Sequence, residues 1–292
     1  MARNQSDEKN FSIQIVNVKL MSNNRSGDDA YKQVISRIKN DKIHIPVYGE
    51  NQHMILRTQF STFVRVGEEN IEVLYGKIAK YVIIDGDDWI NLSNMEVENV
   101  DLPTNLFPNL KETSYFFIPR AHRFAFIHDQ GFSAKNVHKF LSKAVDLVIE
   151  EDEQSEVIIE QSEDIFERIV NAEFVKKLLI SISYSNADTG DEAYEFMDSQ
   201  IRESEMKRLK LEATPNQNGD IKTNSFLIRG ALKVAQSNGY VQATIVENNV
   251  RVKIDTNTHP RTIHTRCEEV SLLGFVVTKI INIFRPNNSH GN

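Results

Sequence analysis

Residues 240–256 read YVQATIVENNVRVKIDT, and this stretch sets the fold class. Tyr240–Val246 and Val250–Thr256 alternate apolar and polar side chains, as half-buried strands do. Glu247-Asn248-Asn249 lies between them. Two asparagines tolerate the left-handed backbone that a tight hairpin turn demands, so the stretch predicts an antiparallel hairpin. Just upstream, a helix is expected from Asn224 or Ser225 to Asn238, closed by Gly239. Further out, KKLLISISYS and RLKLEAT read as strands around the helical DEAYEFMDSQIRESEM. The C-terminal segment 268–284 reads as a helix.

The N-terminal third follows the same rules. FSIQIVNVKL (Phe11–Leu20) alternates with Phe11, Ile13 and Ile15 on one face. A helix follows, with Asp28 or Asp29 as its cap and Ala30, Val34, Ile35 and Ile38 on one side. A β-rich region spans about 53–92. Residues 99–113 hold Pro103 and Pro108 without periodicity and read as a linker. SYFFIP and RFAFIH then form two short strands. Ser133 opens a strong helix whose Val137, Phe140, Leu141, Ala144, Val145 and Val148 share a face. The expected fold is α+β, a mixed and mostly antiparallel sheet with helices on one side. It divides either into an N-terminal β-rich lobe (11–98) and a C-terminal α+β lobe (114–284), or forms one domain over 11–284.

Composition excludes more than it names. The 292 residues carry a net charge of −7 and one cysteine, Cys267. One cysteine cannot build a disulfide framework or a cysteine-based zinc site. The 12 glycines never fall within five residues of each other. Phosphate-cradling loops need clustered glycine, so dinucleotide binders, P-loop NTPases, protein kinases and α/β-hydrolases are disfavoured together. MARNQSDEKN has no apolar core of a secretory signal. The apolar stretch 271–284 is shorter than the ~18–20 residues that span a bilayer and contains Lys279. A cytoplasmic setting without membrane contact is expected.

Charge is unevenly spread. Residues 150–164 (EEDEQSEVIIEQSED) hold eight acids and no base, leaving 33 acids against 34 bases elsewhere. The acidic run reads either as a solvated rim or as a docking site for a protein partner. A basic surface is expected from Arg120, His122 and Arg123 together with Lys135, Lys139 and Lys143. The three lysines recur at i, i+4 and i+8 on the polar face of the helix, a spacing that tracks a phosphate backbone. A solvated helix face would look the same. The partner expected for this surface is RNA or DNA.

Other constellations are weaker. Arg123 and His128 match the R-x4-H spacing of helical HEPN-type nucleases, but a strand puts them on opposite faces. Asp85, Asp87 and Asp88 suit a turn as well as a cation site. Asp188 with Glu205 and Lys207, or Asp220 with Lys222, loosely match a metal-dependent nuclease. His259 and His264 sit in a basic stretch with Arg251, Lys253, Arg261 and Arg266. No catalytic residue, metal site or cofactor is specified.

The order YGKIAKY, SYFFIP…HRFAFIH, SAKNVHKFL, RLKLEATPNQNGD and ALKVAQSNGYVQATIVENNVRVKIDTNTHP resembles, over about 70–280, a bacterial family known only as a domain of unknown function. The resemblance implies sporadic occurrence in bacteria and genes in mobile or defence-associated loci. It carries over no catalytic residues. The function expected is a nucleic-acid-interacting, RNA-binding component of a bacterial antiphage-defence or toxin-type system. The alternatives are a metal-dependent nuclease of such a system and a non-catalytic protein-interaction subunit.

Overall fold

In a computed structural model, residues 8–285 are described except 23, 26, 130, 184–191 and 218. The alternating Phe11–Leu20 lies within a long strand, β1 (Lys9–Met21). Helix α1 (Asp28–Asn40) follows, preceded by Gly27, with Asp28 and Asp29 in its first turn rather than at its cap. There they offset the positive end of the helix dipole. Five strands come next: β2 (His44–Tyr48), β3 (Gln52–Leu56), β4 (Phe60–Val66), β5 (Glu69–Val82) and β6 (Trp89–Asn91). Then come β7 (Glu96–Glu98), β8 (Lys111–Ile118), β9 (Arg123–Ile127), α2 (Ala134–Asp146) and β10 (Gln154–Ile159).

β1 and β5 organise a nine-stranded sheet in the order β10-β1-β9-β8-β5-β3-β2. Antiparallel pairing places β10 beside Val16–Met21 and β9 beside Ile13–Asn17. β5 pairs with β8 on one edge and with β4 and β3 on the other. The alternation of each strand supplies two apolar faces. Val16, Val18, Tyr115, Phe117, Phe124 and Phe126 pack with α1 and α2. Ile13, Ile15, Phe116, Ile118 and Ala125 face the other way. The sheet curls so far that α2 meets both edge strands: His138 Nε2 bonds the Val157 carbonyl of β10 at 2.9 Å, and Lys139 Nζ donates to the Val47 carbonyl of β2 at 3.3 Å.

The chain then builds a second layer. It comprises α3 (Glu163–Val170), β11 (Phe174–Ile182), α4 (Glu192–Glu203), β12 (Leu209–Ala213), α5 (Phe226–Asn238), β13 (Gly239–Glu247) and β14 (Val250–Asp255). These strands form an antiparallel sheet in the order β12-β11-β13-β14. Its inner face packs Leu178, Ile180, Ile182, Val241, Ala243 and Ile245 against α3, α4 and α5. The hairpin of β13 and β14 turns on Asn248 (φ 49) and Asn249 (φ 62), both left-handed as its sequence demands. The chain returns through β15 (Thr262–Cys267), which pairs with the first half of β1, and ends in α6 (Glu269–Phe284). Leu272, Val276, Val277, Ile280, Ile281 and Phe284 of α6 cover the second face of the large sheet. Among the described residues no helix is long and apolar enough to cross a membrane.

The α+β architecture is as expected, with two refinements. Helices lie on one side of the small sheet but on both faces of the large one. The expected boundary at 99–113 falls inside the large sheet, because β5 and β8 pair directly from Lys80–Lys111 to Leu74–Phe117. The chain changes sheets after β10 instead. Gly239 also differs: it opens β13 in extended conformation, not a left-handed helix end. What requires glycine there is space, since a Cβ would collide with the Ser181 carbonyl oxygen. Gly239→Ala therefore lowers stability by about 1–3 kcal/mol, read as the urea midpoint. Gly274→Ala, where a Cβ meets nothing within 4 Å on α6, leaves the midpoint unchanged or raises it.

Candidate nucleic-acid interface

The six basic-surface residues separate. Arg120 is exposed at a short 3-10 turn, Pro119–Ala121, that joins β8 to β9. His122 closes that turn with a left-handed φ of 56° and is buried, its ring stacked 3.9 Å from that of Tyr31. Arg123 is fully buried. Its Nε meets Glu160 Oε1 at 2.7 Å and its Nη1 donates to Asn17 Oδ1 and the Ala121 carbonyl at 2.9 and 2.8 Å. The Phe284 ring lies 4.2 Å from its guanidinium. Neither His122 nor Arg123 can meet a phosphate backbone from there. β9 then carries the chain away from the turn before α2 begins. On α2, Lys135 and Lys143 are exposed, whereas Lys139 is half-buried on the Val47 carbonyl.

Five of the eight acids in the run are ion-paired within the chain, while Glu150, Glu151, Asp152, Glu163 and Asp164 remain exposed. Glu150 pairs with Arg37, Glu153 with Arg25, Glu156 with Arg208, Glu160 with Arg123 and Glu163 with Arg261. The Arg25 guanidinium contacts both Glu153 oxygens at 2.5 Å. That contact holds the Glu153 carboxyl down to about 2, with the Glu150 N–H assisting.

A polar seam joins the two sheets. Asn17 Nδ2 donates to the Ser237 carbonyl at 3.1 Å, and Ser237 Oγ donates to Glu160 Oε2 at 3.1 Å. Buried Lys19 donates to Ser183 Oγ at 2.9 Å, and Gln161 donates to the Gly239 carbonyl. Beside this seam opens a cleft of about 760 Å³. Lys135, His138, Glu156, Arg208, Asn238 and Tyr240 line it. Burial holds His138 below the usual imidazole value, against the opposing effect of its bond to Val157, so its ring favours the neutral form.

The cleft continues onto the outer face of the small sheet. Inward Leu178 and Ile180 imply outward Lys177 and Leu179. Register places Lys177, Thr244 and Lys253 in one cross-strand row, and Lys210, Ser181 and Tyr240 in another. Phe174, Val246 and Arg251 continue the same face. Lys177 is paired with Glu212 at 2.6 Å. Asp255 accepts from Gln242 Nε2 and the Asn257 N–H, both at 3.0 Å. Lys210, Arg251 and Lys253 are exposed and have no acidic partner among the described residues. Cations interleaved with aromatic rings on an open antiparallel sheet suit stacked bases and phosphates.

The chain belongs to the DUF4747 family. The family model, a domain of unknown function, matches residues 9–282. No curated protein matches the chain. Among solved structures, a PDZ domain protein from Parabacteroides distasonis is similar at 8% identity, over 89% of this chain and 73% of that one, with a TM-score of 0.14 that bears no argument.

In this DUF4747 chain the remaining sequence candidates do not converge. Among the described residues no three His, Cys, Asp or Glu side chains gather as metal ligands. Asp220 pairs with Lys222 at 3.2 Å, and Asp188 lies outside the described residues. His259 Nδ1 faces the Asp255 carbonyl, and His264 Nδ1 faces Ser12 Oγ. Sequence reasoning passed over Arg208 and Lys210. The alternation Arg208, Lys210, Glu212 was their one signal. Residues 81–110, read from sequence as strand, turn and linker, contain six acids and no Lys or Arg. There β6 and β7 form a separate hairpin that exposes Ile90, Leu92, Met95 and Val97.

Two stability predictions follow from the ion pairs. Arg123→Met strands a buried carboxylate and costs about 3–5 kcal/mol in chemical unfolding, and adding Glu160→Leu recovers most of that loss. The Arg25–Glu153 pair stabilises fully above the ordinary carboxylate value near 4.5 and is lost as pH falls toward 2. The melting temperatures of wild type and Arg25→Met therefore differ at pH 7 and converge between pH 4.5 and 2. A gap that stays constant through that window contradicts the assignment.

Proposed function

We propose that this DUF4747 protein binds single-stranded nucleic acid, RNA foremost, along the outer face of its small sheet and into the cleft between the two layers. The observation that carries this reading is the set Lys210, Arg251 and Lys253, exposed and, among the described residues, without acidic partners, on the sheet face that also carries Tyr240 and Phe174. Lys135 extends the positive charge across the cleft. Compared with the surface read from sequence, the site keeps Lys135 and moves from α2 to the sheet. The family resemblance suggests the setting, a bacterial antiphage-defence or toxin-type system. One other reading has its own support: a protein-interaction subunit that docks through the acidic, apolar hairpin at 81–110 instead of through 150–164.

Fluorescence anisotropy with a labelled 15-nucleotide RNA, the same DNA and an RNA duplex, at two salt concentrations, tests the proposal. Binding should favour the single strands and weaken with salt. The triple change Lys210→Glu, Arg251→Glu and Lys253→Glu should weaken it more than about tenfold and flatten the salt slope by about 0.7 per lost phosphate contact. Lys143→Glu should have a much smaller effect. No binding at low salt, or a triple variant that binds like wild type, overturns the proposal.

A further inference from the structure

Two histidines meet at the far edge of the large sheet. β2 and β3 are its last two strands, joined by a turn that holds Gly49 at φ 59°. Ile45, Val47, Met54 and Leu56 point into the core beneath α1 and α2. Strand alternation therefore puts His44 and His53 together on the outer face. Register sets Pro46 opposite His53 and His44 opposite Ile55, so the two histidines are diagonal neighbours. Tyr81 of β5 pairs with His53 in turn, and its ring centroid lies 6.4 Å from His44 and 6.2 Å from His53. The Phe107 ring packs 5.2 Å from Tyr81.

The imidazoles face each other nitrogen to nitrogen, with His44 Nδ1 3.2 Å from His53 Nδ1. The far nitrogen of His53 decides its tautomer. Nε2 lies 3.0 Å from the Glu50 carbonyl oxygen, which can only accept, so Nε2 carries the proton. Nδ1 of the neutral ring then presents its lone pair to His44. A carbonyl that holds one ring nitrogen and so aims the other is how metal-ligating histidines are oriented. Without an ion, His44 Nδ1–H donates into that lone pair. When His44 carries its proton on Nε2 instead, two lone pairs face one point. An ion about 2.0–2.1 Å from each nitrogen, the zinc–imidazole length, then subtends an angle of about 100°, near the tetrahedral value.

The donor set also selects the ion. Among the described residues no third His, Cys, Asp or Glu side chain completes a cluster with this pair. Two neutral nitrogens suit Zn²⁺, Ni²⁺ or Cu²⁺, whereas Mg²⁺ and Ca²⁺ require oxygen ligands. His44 is exposed, so an ion reaches the pair directly from solvent.

We propose that His44 and His53 form a surface site for a late first-row divalent ion, Zn²⁺ foremost, held through both Nδ1 atoms with water in the remaining positions. The site shares no residue with the cleft or the small-sheet face and stands independently of the nucleic-acid reading. Isothermal titration of the untagged full chain with ZnCl₂ at pH 7.5, paired with imidazole ¹⁵N NMR, tests it. One Zn²⁺ should bind per chain, a tenfold excess of Mg²⁺ should not displace it, and the Nδ1 signals of His44 and His53 should be the ones that move. His44→Ala and His53→Ala should each weaken binding more than about tenfold while melting like wild type in the absence of metal. His264→Ala should bind as wild type does. Zinc should raise the melting temperature of wild type and leave that of the two site variants unchanged. No zinc binding by wild type leaves the pair a plain N–H···N hydrogen bond and overturns the proposal. So does a His44→Ala or His53→Ala variant that melts like wild type and keeps its zinc affinity, or zinc that shifts other imidazoles and not these two.

Discussion

Arg123 and Glu160 meet at 2.7 Å with neither side chain reachable by solvent. The junction of the two layers is tied together at that contact. Arg123 comes from β9 and Glu160 from the residue just past β10, the strands on either side of β1. Asn17 of β1 lies between them and takes a hydrogen bond from the guanidinium. Glu160 in turn accepts from Ser237, at the end of α5 in the other layer. One pair therefore spans three strands and both sheets. A buried pair gains little over an apolar replacement of the same volume, but losing one partner is expensive. The network thus constrains how the layers meet, and the cleft opens where they meet.

The second constraint is the closure of the large sheet. A sheet with two free edges would leave backbone groups unpaired and open to association. α2 answers this by lying across the gap, with His138 bonded to one edge and Lys139 to the other. The lysine stripe of α2 therefore has an architectural member in its middle. Its first lysine, Lys135, faces the cleft, and only its last stands free of it. The cationic surface better placed for a polyanion is the outer face of the small sheet, because among the described residues no helix packs on it.

How much of this was legible in the sequence depended on sequence distance. The hairpin at 240–256, the apolar face of α2 and the C-terminal helix were readable because their periodicities are local. Arg123 was not, because its partner lies 37 residues away within a run whose acids look like solvated charge. The layer boundary was hidden similarly. Residues 83–110 leave the sheet at the end of β5 and rejoin it at Lys111, which pairs with Lys80 of β5, so an insertion read as a linker. The outer sheet face was half visible: Arg251 and Lys253 were noticed as basic, but only β11 and β13 between them and Lys210 reveal one surface.

The most direct test of the account is hydrogen–deuterium exchange on the intact protein, with and without a saturating 15-nucleotide single-stranded RNA. Protection is expected in the first turn of α2, at 207–213 in and before β12, and across β13 and β14, the elements that bound the cleft and its adjoining sheet face. Protection confined to the turn at Arg120 and the outer end of α2, or to the hairpin at 81–110, or absent altogether, would contradict it.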